Sequence, residues 1–140
     1  MSELDSFREE ARAWVRENAP KSLWGTSGCG PFDGYWGGSK CEETNPDILR
    51  WRDLGIEKGW TAPSWPVEYG GGGLSHAQEQ VLHTEMKAVG VPRPVAGQGL
   101  CMFGPVLLQY GNDAQRLEHL PRIARGEIRW CQGYSEPNAG

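Results

Sequence analysis

Residues Arg129 to Gly140 read RWCQGYSEPNAG, and the meaning of everything before them depends on how they are taken. Apolar residues recur every three or four positions through most of the chain, and that spacing stops here. Glu127 to Ser135, EIRWCQGYS, mixes β-branched and aromatic residues and predicts a strand. Ser-Glu-Pro-Asn-Ala-Gly then supplies turn residues, where a terminus normally frays into a simple polar tail. The run reads as the opening of something that continues. One strand is not a sheet, so it pairs with partners outside these residues or lies alone against the helices. The expectation from pattern alone is an all-α chain ending in one β-strand.

Working back from this stretch, Asn112 caps a helix, DAQRLEHLPRIARG, bent or divided at Pro121. Before it, VAGQGLCMFGPVLLQYG carries apolar residues all round, as expected of an element buried on several faces. Ser75 with Gln78 makes a capping box for SHAQEQVLHTEMKAV, whose apolar face is Ala77, Val81, Leu82, Met86 and Val89. Asn45 and Pro46 open TNPDILRWRDLGIEK, and Gly59 ends it. The first helix covers about residues 3 to 18, with Ser2 as cap, Pro20 as stop and Leu4, Phe7, Ala11 and Val15 on one side. Between the first two helices, Lys21 to Thr44 has no period and predicts a long surface loop, which Trp24, Phe32, Tyr35 and Trp36 could pin to the body.

Composition narrows the function. A chain of 140 residues with 38% hydrophobic content supports one ordinary core. Its net charge of −4 is spread without a basic stripe, which leaves no footprint for nucleic acid. No apolar run approaches the length of a membrane span, and MSELDSFREEARAW is charged from its third residue, unlike a signal peptide. The expected location is the cytoplasm. Cys29, Cys41, Cys101 and Cys131 form no C-x-x-C pair, so no zinc or redox dithiol is indicated; a Cys29–Cys41 bridge is conceivable, but reduced thiols fit that compartment.

Individual residues offer little chemistry. Tyr69 to Gly73, YGGGG, lacks the Lys-Ser/Thr of a phosphate loop and reads as a connector. His76 and His83 lie two turns apart, about 10 Å along a helix, too far to share a metal. Glu43, Glu79 and Glu85 have no partner carboxylate and read as solvated helix charges. No metal ligand set, nucleophile motif or catalytic base stands out.

The order of residues in Trp130 to Gly140, WCQGYSEPNAG, resembles a family signature, aromatic-Cys-x-x-x-Ser/Thr-Glu-Pro-Gly-Ala-Gly-Ser-Asp. It opens the middle β-domain of the acyl-CoA dehydrogenases, which are flavoproteins. Gly59 to Ser75, GWTAPSWPVEYGGGGLS, is similar to that family's Gly-Trp…Pro…Glu-Tyr-Gly-Gly-x-Gly-Leu-Ser stretch. Phe103 to Glu127, FGPVLLQYGNDAQRLEHLPRIARGE, is similar to its Gly…Gly-Thr/Asn-x-x-Gln-Lys…Leu-Pro…Gly-Glu stretch. The resemblance runs the length of the chain in the family's order, and the variant WCQGYSEP looks most like the branch acting on steroid side-chain and other bulky acyl-CoAs.

The resemblance implies a helical N-terminal domain over residues 1–127, the incomplete start of the middle β-domain over residues 128–140 with the rest of that β-domain missing, and FAD as cofactor. It implies that Gln132, Tyr134 and Ser135 face the flavin and that Gly140 permits close approach of the chain to it. Asn138 stands where the family usually has glycine, and asparagine tolerates a left-handed backbone. Gln98 and Met102 would line the acyl pocket. The implied reaction is α,β-dehydrogenation of an acyl-CoA, with electron-transfer flavoprotein or a similar acceptor and a homo- or hetero-oligomeric state. The base, a glutamate of a later segment, is missing here, so the 140 residues alone would be inactive; Glu136 is expected to serve its turn and not to be that base. Two alternatives remain open: an inactive helical assembly subunit of a heteromeric dehydrogenase, and a flavin-dependent acyl-CoA oxidase.

Overall fold

A computed structural model describes residues 1–140. Five helices, α1 (Glu3–Asn18), α2 (Pro46–Lys58), α3 (His76–Val89), α4 (Gly104–Tyr110) and α5 (Asp113–Ala124), make an all-α fold without a sheet. Their ends sit where local chemistry puts them. Ser2, Ser75 and Asn112 each close a complete capping box, and Asn45 accepts from the Asp47 amide ahead of Pro46. Each such cap contributes about 1 kcal/mol by satisfying amides that the first turn leaves free. Gly59 and Gly90 end α2 and α3 in the left-handed conformation.

Two apolar clusters form the interior. The larger lies between α1 and α3 and includes Phe7, Ala11 and Val15 facing Val81, Leu82 and Met86. Phe7, Trp14, Trp51 and Trp60 interlock there, with ring centroids 4.8 to 5.9 Å apart, and such aromatic pairs add roughly 0.5–1.5 kcal/mol each beyond burial. Glu85, expected in solvent, is instead 5% exposed. It bonds Arg12 Nε at 3.0 Å and Arg8 Nη1 at 3.4 Å, tying α3 to α1. The smaller cluster joins Trp65 and Tyr69 to Leu107, Leu120, Ile123 and Ala124 under the α4–α5 hairpin.

Three elements differ from the sequence reading. The expected many-sided helix begins only at Gly99: Val91 to Gln98 is an irregular strap, followed by a π-helical turn, Gly99–Phe103, that runs directly into α4. Pro105 explains the widened turn. It has no N–H for the Cys101 carbonyl, and its ring would crowd that oxygen in a regular α-helix. The same segment is buried on one side only; Met102, Val106 and Tyr110 are exposed. Second, α5 passes Pro121 without interruption, although the proline has no N–H to donate to the Leu117 carbonyl. Third, residues 127–135 form no strand, having no partner to pair with. Ile128 and Trp130 pack against the helices, the Trp130 ring 3.9 Å from Phe103 and 5.4 Å from His119, whereas residues 131–135 are exposed. Beyond them, one antiparallel bridge links Glu136 and Ala139.

The long loop is built in. Backbone bonds run from Arg93 N to Asp33 O, Ala96 N to Tyr35 O, Gly97 N to Pro31 O and Gly38 N to Gly126 O. Gly37, at φ +66, approaches Gly126 so closely that a Cβ would stand 1.8 Å from its carbonyl oxygen. The glycine run after Tyr69 is likewise a tight connector, since a Cβ on Gly71 would meet the Trp65 carbonyl at 2.1 Å.

Candidate functional site

The Val91–Gln98 strap has Pro92 and Pro94 on either side of Arg93, which holds the backbone extended at that point. Two hollows border it. The larger, about 750 Å³, opens between the long loop, the start of α2 and the strap, with Asp33, Tyr35, Trp36, Trp51, Arg93 and Arg129 in its wall. Arg129 lies over the Trp36 ring at 4.6 Å and Arg52 over Tyr35 at 4.9 Å, so cations and rings alternate along the loop. Burial pushes the Tyr35 phenol above its ordinary range, against the pull of the Arg52 guanidinium.

The smaller hollow, about 210 Å³, lies between α3 and the Thr61–Trp65 loop and is lined by Glu79, His83, Arg93 and Cys101 among others. Burial, reinforced by the Arg93 charge, pushes His83 down to about 4, so its imidazole is neutral near pH 7. Burial pushes the Cys101 thiol up. No three His, Cys, Asp or Glu side chains come together to hold a metal ion, and all four cysteines are free.

The terminal run forms a third surface. Gln132, Tyr134 and Ser135 are exposed, Tyr134 by 83%. Their backbone amides donate to no group in the chain. The turn after them is closed by Glu136 N to Ala139 O at 2.6 Å and Ala139 N to Glu136 O at 3.1 Å. That turn brings Gly140 beside Ser135, where a Cβ would stand 3.0 Å from the Ser135 Oγ. Gln98 and Met102 have different surroundings: Gln98 lines a narrow crevice with its Oε1 buried and unpartnered, whereas Met102 is exposed. The sequence reading missed Thr61, His83, Arg93 and the cleft face of Tyr35. Only Pro-Arg-Pro at 92–94 carried a signal, that of an arginine on a stiff segment.

Residues 30–127 match the model of the acyl-CoA dehydrogenase N-terminal domain. The chain belongs to the acyl-CoA dehydrogenase family. It is 35% identical over all 140 residues to acyl-CoA dehydrogenase IpdE1 of Mycolicibacterium smegmatis, covering 34% of that protein. It is 32% identical over the same span to IpdE1 of Mycobacterium tuberculosis, covering 35% of it. A solved structure described as the Tcur3481-Tcur3483 steroid ACAD superposes with a TM-score of 0.64 at 31% identity, over 98% of this chain and 32% of the other. The ChsE4-ChsE5 complex from Mycobacterium tuberculosis shows the same fold at a TM-score of 0.64 and 26% identity, over 100% of this chain and 32% of the other. The chain thus spans about a third of the length of the relatives it matches.

Proposed function

We propose that this chain is the helical part of an FAD-dependent enzyme that dehydrogenates a bulky, steroid-derived acyl-CoA thioester between Cα and Cβ. The observation that supports this most directly is identity along the whole 140 residues to an acyl-CoA dehydrogenase, joined to the likeness to a structure described as a steroid ACAD. In this reading the helical domain ends at Glu127, and residues 128–140 begin the flavin-binding domain.

The terminal run suits FAD. The Gln132, Tyr134 and Ser135 amides are uncommitted and exposed, and donors of this kind, with the Ser135 hydroxyl, complement the acceptor atoms of a flavin ring. Glycine at 140 keeps that hydroxyl uncovered, since any side chain there would crowd it. When bound, FAD supplies the acceptor for the β-hydride of the acyl group. The chain's own part is to bind and orient: amides stabilise charge on the reduced ring, and Trp130, held by Phe103 and His119, fixes the run that carries them. Glu136 keeps its turn, and a carboxylate base comes from elsewhere in the enzyme. The cleft of about 750 Å³ beside the strap has the room for a bulky acyl group, although its wall carries Asp33, Arg93 and Arg129 beside the rings, and we assign the apolar contact there to Tyr35 and Trp36 ahead of Gln98 and Met102. Four free thiols fit a cytoplasmic setting, and electron-transfer flavoprotein is the acceptor of choice.

A second reading, an assembly subunit without chemistry of its own, draws on the exposed apolar residues Met102, Val106, Tyr110 and Leu117, and on a neighbour described as the ChsE4-ChsE5 complex. FAD titration and anaerobic flavin bleaching separate the two. The 140 residues alone are expected to lose FAD on gel filtration; joined to the family's β- and C-terminal helical domains, they should support bleaching by a steroid side-chain acyl-CoA. Tight FAD retention by the 140 residues, or no bleaching in the joined protein, would count against the enzyme reading.

A further inference from the structure

The hollow between α3 and the Thr61–Trp65 loop carries more uncommitted polarity than packing requires. Its volume of about 210 Å³ far exceeds the ~10–15 Å³ that a single water needs. Thr61 is 6% exposed, yet its Oγ1 has no hydrogen-bond partner. A buried hydroxyl in that state costs roughly 1–3 kcal/mol, so a bonding occupant would relieve it. His83 enters no side-chain hydrogen bond within the chain. Arg93 donates its Nε to the Cys29 carbonyl at 3.2 Å and stands beside the Cys29 thiol, but it pairs with no carboxylate of the chain. Glu79, one turn before His83, lies 3.7 Å from His76. Trp65, Leu100 and Ala96 supply apolar wall.

These groups share one preference. Arginine is the single fixed cation of the wall, the imidazole and the threonine hydroxyl can each donate one hydrogen bond, and the apolar wall leaves room for a short carbon chain. We propose that this hollow is a binding site for a carboxylate group, held by Arg93, His83 and Thr61. The site stands independently of the flavin reading. The carboxylate belongs either to a small free acid or to the far end of a longer ligand.

The three histidines, His76, His83 and His119, make nuclear magnetic resonance of the imidazole signals a direct reader. The protein is titrated with sodium acetate and, separately, with octanedioate, each against sodium chloride at equal ionic strength. His83 signals should move saturably while His76 signals follow the chloride control. Acetate as the better binder identifies a free small acid; octanedioate as the better binder identifies the end of a longer molecule. Thr61→Val, close in shape and free of an unpaired hydroxyl, should weaken binding roughly tenfold, the loss of one hydrogen bond to a charged group. Affinity should also rise as pH falls from 7 toward 5. A bound anion favours the imidazolium form against the opposition of Arg93, with the Glu79 carboxylate as the competing negative charge and the Cys101 thiol neutral. His83 shifts equal to those in chloride, or a Thr61→Val protein that binds acetate and octanedioate unchanged, would overturn the assignment.

Discussion

At the scale of residues, two buried groups make stability depend on pH in the same direction. His83 is held down to about 4 from 6.5, so the unfolded chain takes up its proton first as the solution is acidified. Its contribution is full above pH 6.5 and is lost as pH falls toward 4, amounting to about 3 kcal/mol over that interval. Glu85 is held low chiefly by the Arg12 guanidinium, then by Arg8, so its contribution is present above its ordinary 4.5 and fades below it. Urea denaturation from pH 7 down to 4 should therefore show a steady fall, most of it above pH 4.5. His83→Leu should flatten that slope. Glu85→Gln should keep the slope and lower stability at pH 7 by roughly 2 kcal/mol, the worth of charge-assisted hydrogen bonds to a buried carboxylate. A His83→Leu protein with an unaltered slope would show that the imidazole is not desolvated. Glu85 was legible in the sequence only as a charge on a helix; its burial depends on two arginines more than seventy positions earlier, beyond any local pattern.

At the scale of elements, helix ends were readable and the segment between them was not. Caps act within four residues, so Ser2, Asn45, Ser75 and Asn112 announced their helices. The strap and π-turn depend on contacts made across the fold. Gly104 shows the constraint: a Cβ there would stand 2.2 Å from Trp65 Cζ2 and 2.8 Å from the Gly99 carbonyl oxygen. Gly104→Ala should cost roughly 1–3 kcal/mol through overpacking, read as a lower melting temperature. Gly37→Ala is expected to act differently. A methyl at φ +66 pressed on Gly126 should release the loop while sparing the α1–α3 pair, and loop proteolysis before any loss of helical circular dichroism would record it. Simultaneous loss of both would place the loop inside the cooperative core.

At the scale of the whole molecule, the family order of motifs made the helical architecture legible, whereas the two hollows depended on residues that only the fold assembles. The terminal run was legible as chemistry but not as conformation, because a strand exists only with its neighbour. Hydrogen exchange should show this directly: amides 131–135 exchange at once in the 140-residue chain, while those of α1 and α3 stay protected. Protection of 131–135 without added partner or FAD would contradict the exposed geometry described above. Arg93 carries a last consequence. It lines both hollows, and its backbone N–H donates to the Asp33 carbonyl. One residue shared by two walls couples them, so an occupant that fixes the guanidinium in the smaller hollow also alters the rim that the larger one presents.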